Sequence, residues 1–313
     1  MNKYLTSTFI ITYLIAMIKT SIPILLAASG EIYSERSGVV NINLEGQILA
    51  GAFFAFLGAY ITGSLFLGAI MGILAGMLFA LAFGFACITK KASQIVVGIT
   101  LNITALGITS YLNRAYFGIT TSLPRVKVMP QVLVPVLNKI PILGEVFFSR
   151  DLMVYISLFT AILSYVIIFK TTFGLKMRSA GEYPRAAETM GVNVYRIQYI
   201  SLLLCGGLAG LGGSYLTLGM LGGFMENISG GRGFIALALV IFGKWHPLKI
   251  LLAAMLFGGA DALQVRLQAI GADIPYQFML MTPYLLTIFI LIITGKRATQ
   301  PAALGVPYDR EKL

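Results

Sequence analysis

Charged residues are scarce in this sequence: Asp, Glu, Lys and Arg make up 11% of its 313 residues, whereas a soluble domain carries about 25%. Hydrophobic residues make up 58% of the chain, and the mean hydropathy is +0.86. This composition excludes an ordinary soluble domain. Apolar runs near or above about 18 residues recur along the sequence and predict membrane-spanning helices.

Residues that carry chemistry are equally rare. The only histidine, His246, excludes an H-E-x-x-H metalloprotease and argues against a Ser–His–Asp triad; in its basic turn it is expected to be structural. Cys87 and Cys205 lie in apolar surroundings, which disfavours a disulfide framework or a zinc site. The sequence contains no G-x-x-x-x-G-K-[ST] motif, so it is predicted to hydrolyse no nucleotide. We expect no catalytic residue, no metal site and no cofactor in this chain.

The formal net charge of +11 would suit a nucleic-acid partner if the basic residues were concentrated in one domain. They are instead scattered among the apolar segments, as in the loops of a membrane protein. We therefore expect a lipid bilayer around the chain and no bound nucleic acid.

Nine apolar segments are predicted to span the membrane. The first resembles a signal peptide, but the hydrophobic pattern resumes after Lys19 and further spans follow, which favours a retained span. Residues 30–44 are compatible with a loop, a re-entrant segment or a short broken helix. The sequence thus predicts an all-α polytopic domain covering residues 1–313, with about eight to ten membrane-spanning helices. The predicted spans are 5–29, 45–62, 65–88, 93–113, 151–170, 197–220, 232–245, 248–266 and 276–294.

The basic residues set the predicted orientation of these spans. If residues 171–196 are cytoplasmic, residues 89–93, residues 243–249 and the short C-terminal tail 295–313 are cytoplasmic too. That side then holds thirteen basic residues against seven on the other, as the positive-inside rule favours. The loop 114–150 is expected on the extracytoplasmic side, and its four prolines exclude a long regular helix.

Glycines recur at intervals of four residues within several spans. This small-xxx-small spacing lets helices approach closely in lipid, so we expect these positions to be helix contacts. The glycines concerned are Gly68, Gly72 and Gly76, the pair Gly206 and Gly210, and the pair Gly219 and Gly223.

Two segments place polar residues where the membrane is expected. In VVNINLEGQILAGAFFAFLG a polar start turns at a glycine and becomes apolar, and FMENISGGRGFIALALVIFG repeats that order, with Asn227-Ile228 in the place of Asn41-Ile42. Such a pair predicts an inverted repeat whose half-helices begin near the middle of the membrane and line a cavity. We predict a substrate pathway that includes Asn41, Asn43, Glu45, Gly46, Asn102 and Asn227.

Two alternatives remain open for these polar residues. The first group can be an ordinary helix start, in which the polar side chains cap the helix and Gly46 loosens its first turn. Asn102 lies in the middle of a predicted span, where it either lines the pathway or bridges two helices.

A compact polar segment, GLKMRSAGEYPRAAETMGVN, occupies residues 174–193. Pro184 suits the first turn of a helix, Glu182 its positive end, and Gly191 a C-terminal cap. The predicted helix has only about seven residues and is marginal alone in water. We expect it to dock against another protein or to pack beneath the spans, and an ordinary basic loop is the alternative. Close approach is expected at Ala186 and Ala187.

Three segments carry a resemblance to a known family: SERSGVVNINLEGQILAGAF, TTFGLKMRSAGEYPRAAETMGVNV and GRGFIALALVIFGKWHP. Together they resemble the permease subunits of bacterial ABC importers, in the branch that includes simple-sugar and branched-chain amino-acid permeases. The greatest similarity is to the nucleoside-uptake subgroup, and the resemblance covers roughly residues 20–294. Position 43, often glycine in that family, is asparagine here.

This resemblance implies a coupling element that inserts into a cleft of an ATP-binding subunit. The family pattern G-E-x-P-x-A-A-x-x-x-G assigns that role to residues 181–191. The coupling residues are therefore expected to be Gly181, Glu182, Pro184, Arg185, Ala186, Ala187 and Gly191.

The resemblance also implies partners and a mechanism. An extracytoplasmic substrate-binding lipoprotein delivers a nucleoside, and a separate ATP-binding subunit, which holds ATP and magnesium, drives alternating access. A second homologous permease is expected to complete a heterodimer in the bacterial cytoplasmic membrane. The alternatives are a simple-sugar permease of the ribose or galactose type and an ion-coupled secondary transporter, which would work without ATP.

Overall fold

The computed structural model describes residues 7–118, 124–133, 143–269 and 300–309, and positions 275, 277, 278, 281, 285, 288, 289 and 292. Two π-helical segments, Phe85–Thr89 and Tyr215–Leu221, directly extend the third and ninth helices. Two short antiparallel strands, β1 (Gln131–Leu133) and β2 (Ser149–Asp151), pair with each other. The helices are α1 (Ser7–Arg36), α2 (Leu44–Thr62), α3 (Leu65–Gly84), α4 (Gln94–Phe117), α5 (Leu143–Phe147), α6 (Leu152–Lys170), α7 (Thr172–Glu182), α8 (Pro184–Thr189), α9 (Val194–Ser214), α10 (Arg232–Phe242) and α11 (Pro247–Ala269).

Within these described residues, seven helices are long and apolar enough to cross a membrane: α1, α2, α3, α4, α6, α9 and α11. The predicted all-α polytopic class is confirmed. The predicted span 232–245 corresponds to α10, whose 11 residues reach only about 17 Å at 1.5 Å per residue. That is too short for a hydrocarbon core of about 30 Å. Most of the predicted span 276–294 lies outside the described residues, which include seven of its 19 positions.

The first helix is longer than predicted: the predicted span ends at residue 29, whereas α1 continues without a break to Arg36. The polar residues after position 30 indicated a break because exposed carboxylates in lipid are costly. In the structure Glu31 and Glu35 are buried in protein contacts instead. Of the three alternatives for residues 30–44, the structure shows a helical end followed by a short re-entrant segment, residues 37–43.

The contacts predicted for Gly68, Gly72, Gly76, Gly206 and Gly210 are present where α2, α3 and α9 pack together. The pair Gly219 and Gly223 is not a helix contact: a Cβ on Gly219 would meet the Tyr215 ring of its own segment, and one on Gly223 would lie 3.2 Å from Pro124 O in the loop. A Cβ atom on Gly76 would lie 2.1 Å from the carbonyl oxygen of Gly206, and one on Gly210 would lie 2.3 Å from that of Gly72. Gly68 packs as closely against α2, at the carbonyl oxygen of Ala55. The three backbones therefore meet at distances that no side chain would allow, as expected for helices in lipid.

The described parts of the loop 114–150 are compact and contain no long helix, as its prolines predict. Residues 124–130 lie beside the π-helical extension of α9: Val126 N–H donates to Gly222 O and Met129 N–H to Leu218 O, both at 2.9 Å. The β1–β2 pair follows. This loop therefore covers the end of α9.

The predicted cytoplasmic connections lie at one end of the bundle, here called the α8 end. The carbonyl oxygen of Gly181 accepts a hydrogen bond from Ala303 N–H at 2.9 Å. Lys91, in the turn before α4, pairs with Asp309. Phe117, the last residue of α4, packs against Tyr60 near the end of α2. Since α4 begins at the α8 end, α2 and α4 both end at the opposite end of the bundle.

Candidate functional site

The re-entrant segment begins where α1 ends in a glycine cap. Gly38 has a φ of +94°, and its N–H donates to Glu35 O while Val39 N–H donates to Ser34 O. This is a Schellman motif, which glycine favours because it has no Cβ. The chain then turns back along α1, so that Asn41 N–H reaches Glu31 Oε1 at 2.9 Å.

The side chain of Asn41 holds this segment within the protein. It is fully buried, and its Nδ2 donates to Gln47 Oε1 at 2.9 Å and contacts Cys205 Sγ at 3.2 Å. Cys205 Sγ also contacts Glu31 Oε2 at 3.2 Å. Asn41 therefore joins α1, the start of α2 and α9 through one buried polar cluster, which satisfies groups that would be costly in lipid.

The start of α2 lies against the middle of α4. Asn102 Nδ2 donates to Ile42 O at 2.9 Å, and Asn102 Oδ1 accepts from Gly46 N–H at 2.7 Å. A Cβ on Gly46 would lie 3.0 Å from Asn102 Oδ1, so glycine allows this approach. One amide side chain thereby satisfies two backbone groups that the irregular segment leaves free.

Asn43 lies next to this bridge. Its Nδ2 donates to Phe79 O in α3 at 3.2 Å. Its Oδ1 is buried and has no hydrogen-bond partner among the described residues. A buried acceptor without a partner calls for a bound water molecule or another polar group beside it.

Glu45 connects the start of α2 to the start of α10. Its Oε1 accepts from Gly231 N–H at 2.8 Å and its Oε2 from Gly233 N–H at 2.6 Å. A carboxylate at a helix N-terminus satisfies free N–H groups and opposes the positive end of the helix dipole. The two broken helices therefore begin at one place.

The other end of α10 is tied to the end of α1. Trp245 Nε1 donates to Glu35 Oε2 at 2.5 Å, and Arg36 Nη2 donates to Trp245 O at 3.1 Å. Since Arg36 lies at the α8 end, α10 runs toward that end from Glu45, whereas α2 runs away from it. The two helices therefore run in opposite directions, as the predicted inverted repeat requires.

Five of the six predicted pathway residues come together, and Asn227 does not. Asn41, Asn43, Glu45, Gly46 and Asn102 share the contacts described above, whereas Asn227 is exposed in the turn before α10, with a φ of +58°. The predicted match between Asn41 and Asn227 is wrong, because Asn41 is buried in the bundle and Asn227 is exposed. Spacing along the chain does not determine how deep in the bundle a residue lies. The residues of the second segment that contact the start of α2 are Gly231 and Gly233.

An open groove of about 690 Å³ follows α4 beyond Asn102. Ile103, Gly107 and Ser110 line it, and it ends at an exposed ion pair between Arg114 Nε and Glu226 Oε1, 2.8 Å apart. The guanidinium holds the pKa of the Glu226 carboxyl below its usual value. Ion pairs and hydroxyls do not suit a surface that faces only lipid.

The predicted coupling segment forms two helices rather than one. Glu182 ends α7, Tyr183 joins the helices, and Pro184 begins α8, which has six residues. Gly191 has a φ of +82° and caps α8 as predicted. The preceding helix α7 was not predicted, because its composition is that of a basic loop.

The coupling residues divide between two sides of α8. Ala187 is buried against the chain itself, whereas Arg185 and Ala186 are exposed. Gly181 packs on the end of α1, where an added Cβ would lie 2.3 Å from Arg36 O. Of the two alanines expected at close contacts, Ala187 packs against the chain itself, whereas a close contact at Ala186 stays a prediction.

His246 lies beside this region, in the turn between α10 and α11. Its ring centroid is 5.4 Å from those of both Phe169 and Tyr165. Burial, together with nearby Lys249 and Arg36, lowers the pKa of the imidazole. These contacts agree with the structural role expected for it.

Several residues of the site were not identified from sequence. Glu31, Gln47 and Cys205 hold Asn41, and Gly231 and Gly233 hold Glu45. The sequence did contain one indication of such residues: a carboxylate within an apolar run is costly unless it is paired. The partner of each carboxylate lies far away in the sequence, so only the folded structure identifies it.

Comparison with known proteins places the chain among transport proteins. Residues 13–294 match the family described as the permease component of the branched-chain amino acid transport system. The chain is 40% identical to the guanosine ABC transporter permease protein NupQ of Bacillus subtilis, covering 93% of this chain and 94% of that protein. It is 35% identical to the nucleoside ABC transporter permease protein NupC of Lactococcus lactis, covering 95% and 96%.

A further relative and a solved structure extend this comparison. The chain is 33% identical to the "Putative glucose ABC transporter permease protein TsgC13" of Haloferax volcanii, over 95% of this chain and 97% of that protein. The fold resembles the inward-facing structure of a "putative metal-chelate type ABC transporter", with a TM-score of 0.50 and 15% identity. That match covers 90% of this chain and 82% of the other.

Proposed function

The chain belongs to the family of permease components of the branched-chain amino acid transport system, and we propose that it carries nucleosides as the permease subunit of an ABC importer. It is a multi-pass protein of the cytoplasmic membrane and a transport subunit. The observation that supports nucleosides most strongly is the 40% identity to a guanosine permease over nearly the whole chain.

The chemistry of the site agrees with an uncharged polar substrate. The only carboxylate of the α2 start, Glu45, is occupied by two backbone N–H groups of α10, so it offers no free charge to a cationic substrate. Asn43 Oδ1 is a buried acceptor, which suits the amino group of a base or a ribose hydroxyl. We propose that the pathway passes the start of α2 and the groove along α4.

The coupling element is proposed to be α8 with the end of α7. A contact path leads from it to the site: Gly181 packs on Arg36 at the end of α1, and α1 holds the re-entrant segment through Glu31 and Asn41. Glu45 then extends the path to α10. Movement of α8 would thus shift both broken helices together.

The energy is proposed to come from ATP and magnesium bound by the partner ATP-binding subunit. The family implies that subunit and a substrate-binding protein. We further propose that the second permease is a different chain and that it faces the groove along α4. The groove's exposed Tyr111 and Arg114 fit a protein partner and a polar path better than lipid.

The test is uptake of radiolabelled guanosine by membrane vesicles that contain this chain with its partner subunits. We expect ATP-dependent uptake that unlabelled nucleosides inhibit and glucose does not. Uptake inhibited by glucose alone would favour a sugar permease instead, the second candidate, which the 33% identity to TsgC13 supports.

A further inference from the structure

Residues 301–309 of the C-terminal tail, here called the tail, lie on the α8 end of the bundle as part of its surface. Ala303 N–H donates to Gly181 O at 2.9 Å, and Gly305 N–H donates to Gly38 O at 3.0 Å. Gly305 has a φ of +77°, which lets the chain turn between these bonds. The tail is thereby attached by its backbone to α7 and to the cap of α1.

Side chains of the tail reach two further elements. The Tyr308 hydroxyl donates to the Glu188 carboxylate in α8, and its ring lies 5.6 Å from that of Tyr195 in α9. Lys91 Nζ lies 2.5 Å from Asp309 Oδ1 and ties the tail to the turn before α4. Nine residues therefore connect α1, α8, α9 and the α3–α4 turn.

Helix α8 lies between two grooves, and the tail forms the wall of one of them. The tail groove has a volume of about 730 Å³, with Val306 and Tyr308 on one side and Tyr183 and Ala186 on the other. The second groove, about 470 Å³, includes Met190 and again Tyr183 and Ala186. The two grooves therefore adjoin at Tyr183 and Ala186, on the exposed face of α8.

Large apolar side chains on this surface are left open. Met190 is 84% exposed, Tyr183 is 70% exposed and Val306 is 62% exposed. They belong to the connections and the tail rather than to the spans, so lipid tails do not cover them. Apolar side chains grouped on an aqueous surface indicate a protein interface.

We propose that the ATP-binding subunit docks on a composite surface made of α8 and the C-terminal tail, with an apolar side chain of that subunit in the tail groove. The inference rests on the proposed function, in which α8 is the coupling helix. The shared lining of the two grooves selects this occupant, because a partner that contacts Tyr183 and Ala186 from the aqueous side lies next to Val306 in the tail groove. The tail therefore adds binding area to a six-residue helix.

The test compares three variants of the full chain, co-expressed with its partner subunits. The ATP-binding subunit carries the affinity tag, and recovery of the permease with it is measured after solubilisation. Val306→Lys places a charge in the tail groove. Val128→Lys makes the same change at an exposed valine of the loop 114–150, which lies at the opposite end of the bundle and lines neither groove. Met190→Lys tests the second groove.

We expect recovery to fall about tenfold for Val306→Lys and Met190→Lys and to stay unchanged for Val128→Lys. Loss for Met190→Lys alone would overturn the role of the tail and leave the coupling role of α8 standing. Full recovery for all three variants would overturn both. A photo-crosslinking residue at position 306 supplies a readout that does not depend on weakened binding. An adduct with the ATP-binding subunit is expected at position 306 and not at position 128. No adduct at position 306 would overturn the proposal.

Discussion

Gly233 donates its backbone N–H to Glu45 Oε2 at 2.6 Å, and this contact joins two helices that are 188 residues apart in the chain. An added Cβ on Gly233 would lie 2.3 Å from Glu45 N, so the two backbones touch. Each helix begins inside the bundle, and Glu45 supplies the acceptor that the start of α10 needs. The contact makes α2 and α10 a single unit at the proposed pathway.

We predict that Glu45→Gln weakens this unit. Hydrogen bonds to a charged group contribute about 1.5–3 kcal/mol, and the amide keeps only one acceptor oxygen. Guanosine uptake per permease in the membrane should fall by about tenfold, which is the effect of about 1.4 kcal/mol. The control is Glu145→Gln, at an exposed carboxylate in α5. Equal uptake by the two variants would contradict the role given to Glu45.

Asn102→Ala should destabilise the start of α2. The change leaves Ile42 O and Gly46 N–H without the partner seen in the structure, and each such buried group costs about 1–3 kcal/mol. We expect a lower midpoint of thermal unfolding in detergent together with reduced uptake. Asn113→Ala, on the same helix and outside the cluster, is the matched control. Normal uptake by Asn102→Ala would show that the bridge is dispensable.

Gly76→Val should separate α3 from α9. The added Cβ would lie 2.1 Å from Gly206 O, and a backbone atom cannot move aside as a side chain end can. Forcing extra carbon atoms into a packed interior costs about 1–3 kcal/mol. The measurement is thermal unfolding in detergent, with Gly107→Val as control, since an added Cβ at Gly107 meets no described atom within 4 Å. A similar midpoint for both variants would contradict the close contact.

Glu182→Lys should abolish uptake while the protein still reaches the membrane. Glu182 Oε2 accepts from Ala302 N–H at 3.2 Å, and a lysine in its place cannot accept that bond. The result would be seen as loss of labelled-guanosine uptake with unchanged permease in the membrane fraction. Glu145→Lys, remote from α8, should transport normally. Uptake unaffected by Glu182→Lys would count against coupling at this position.

The sequence predicted local features well. The spans follow from apolar length, the cap at Gly191 from the need for a positive φ, and the helix contacts at Gly72 and Gly76 from their spacing. The polar start of α2 was identified from its cost in lipid. Each of these properties depends on residues close together in the chain.

Contacts between distant segments could not be predicted in the same way. Glu31 and Glu35 indicated a break in α1 because their buried partners, Asn41 and Trp245, appear only in the folded chain. The same holds for the tail, whose partner Gly181 lies more than a hundred residues earlier. Asn227 was placed with Asn41 by spacing alone, and the fold separates them.

The most direct test of this account is transport by proteoliposomes that contain the permeases, with and without the ATP-binding subunit. With the substrate-binding protein outside and ATP available to the ATP-binding subunit, we predict accumulation of labelled guanosine against its gradient. Without that subunit, or without ATP, we predict none. Accumulation by this chain alone, driven by an ion gradient, would contradict the account.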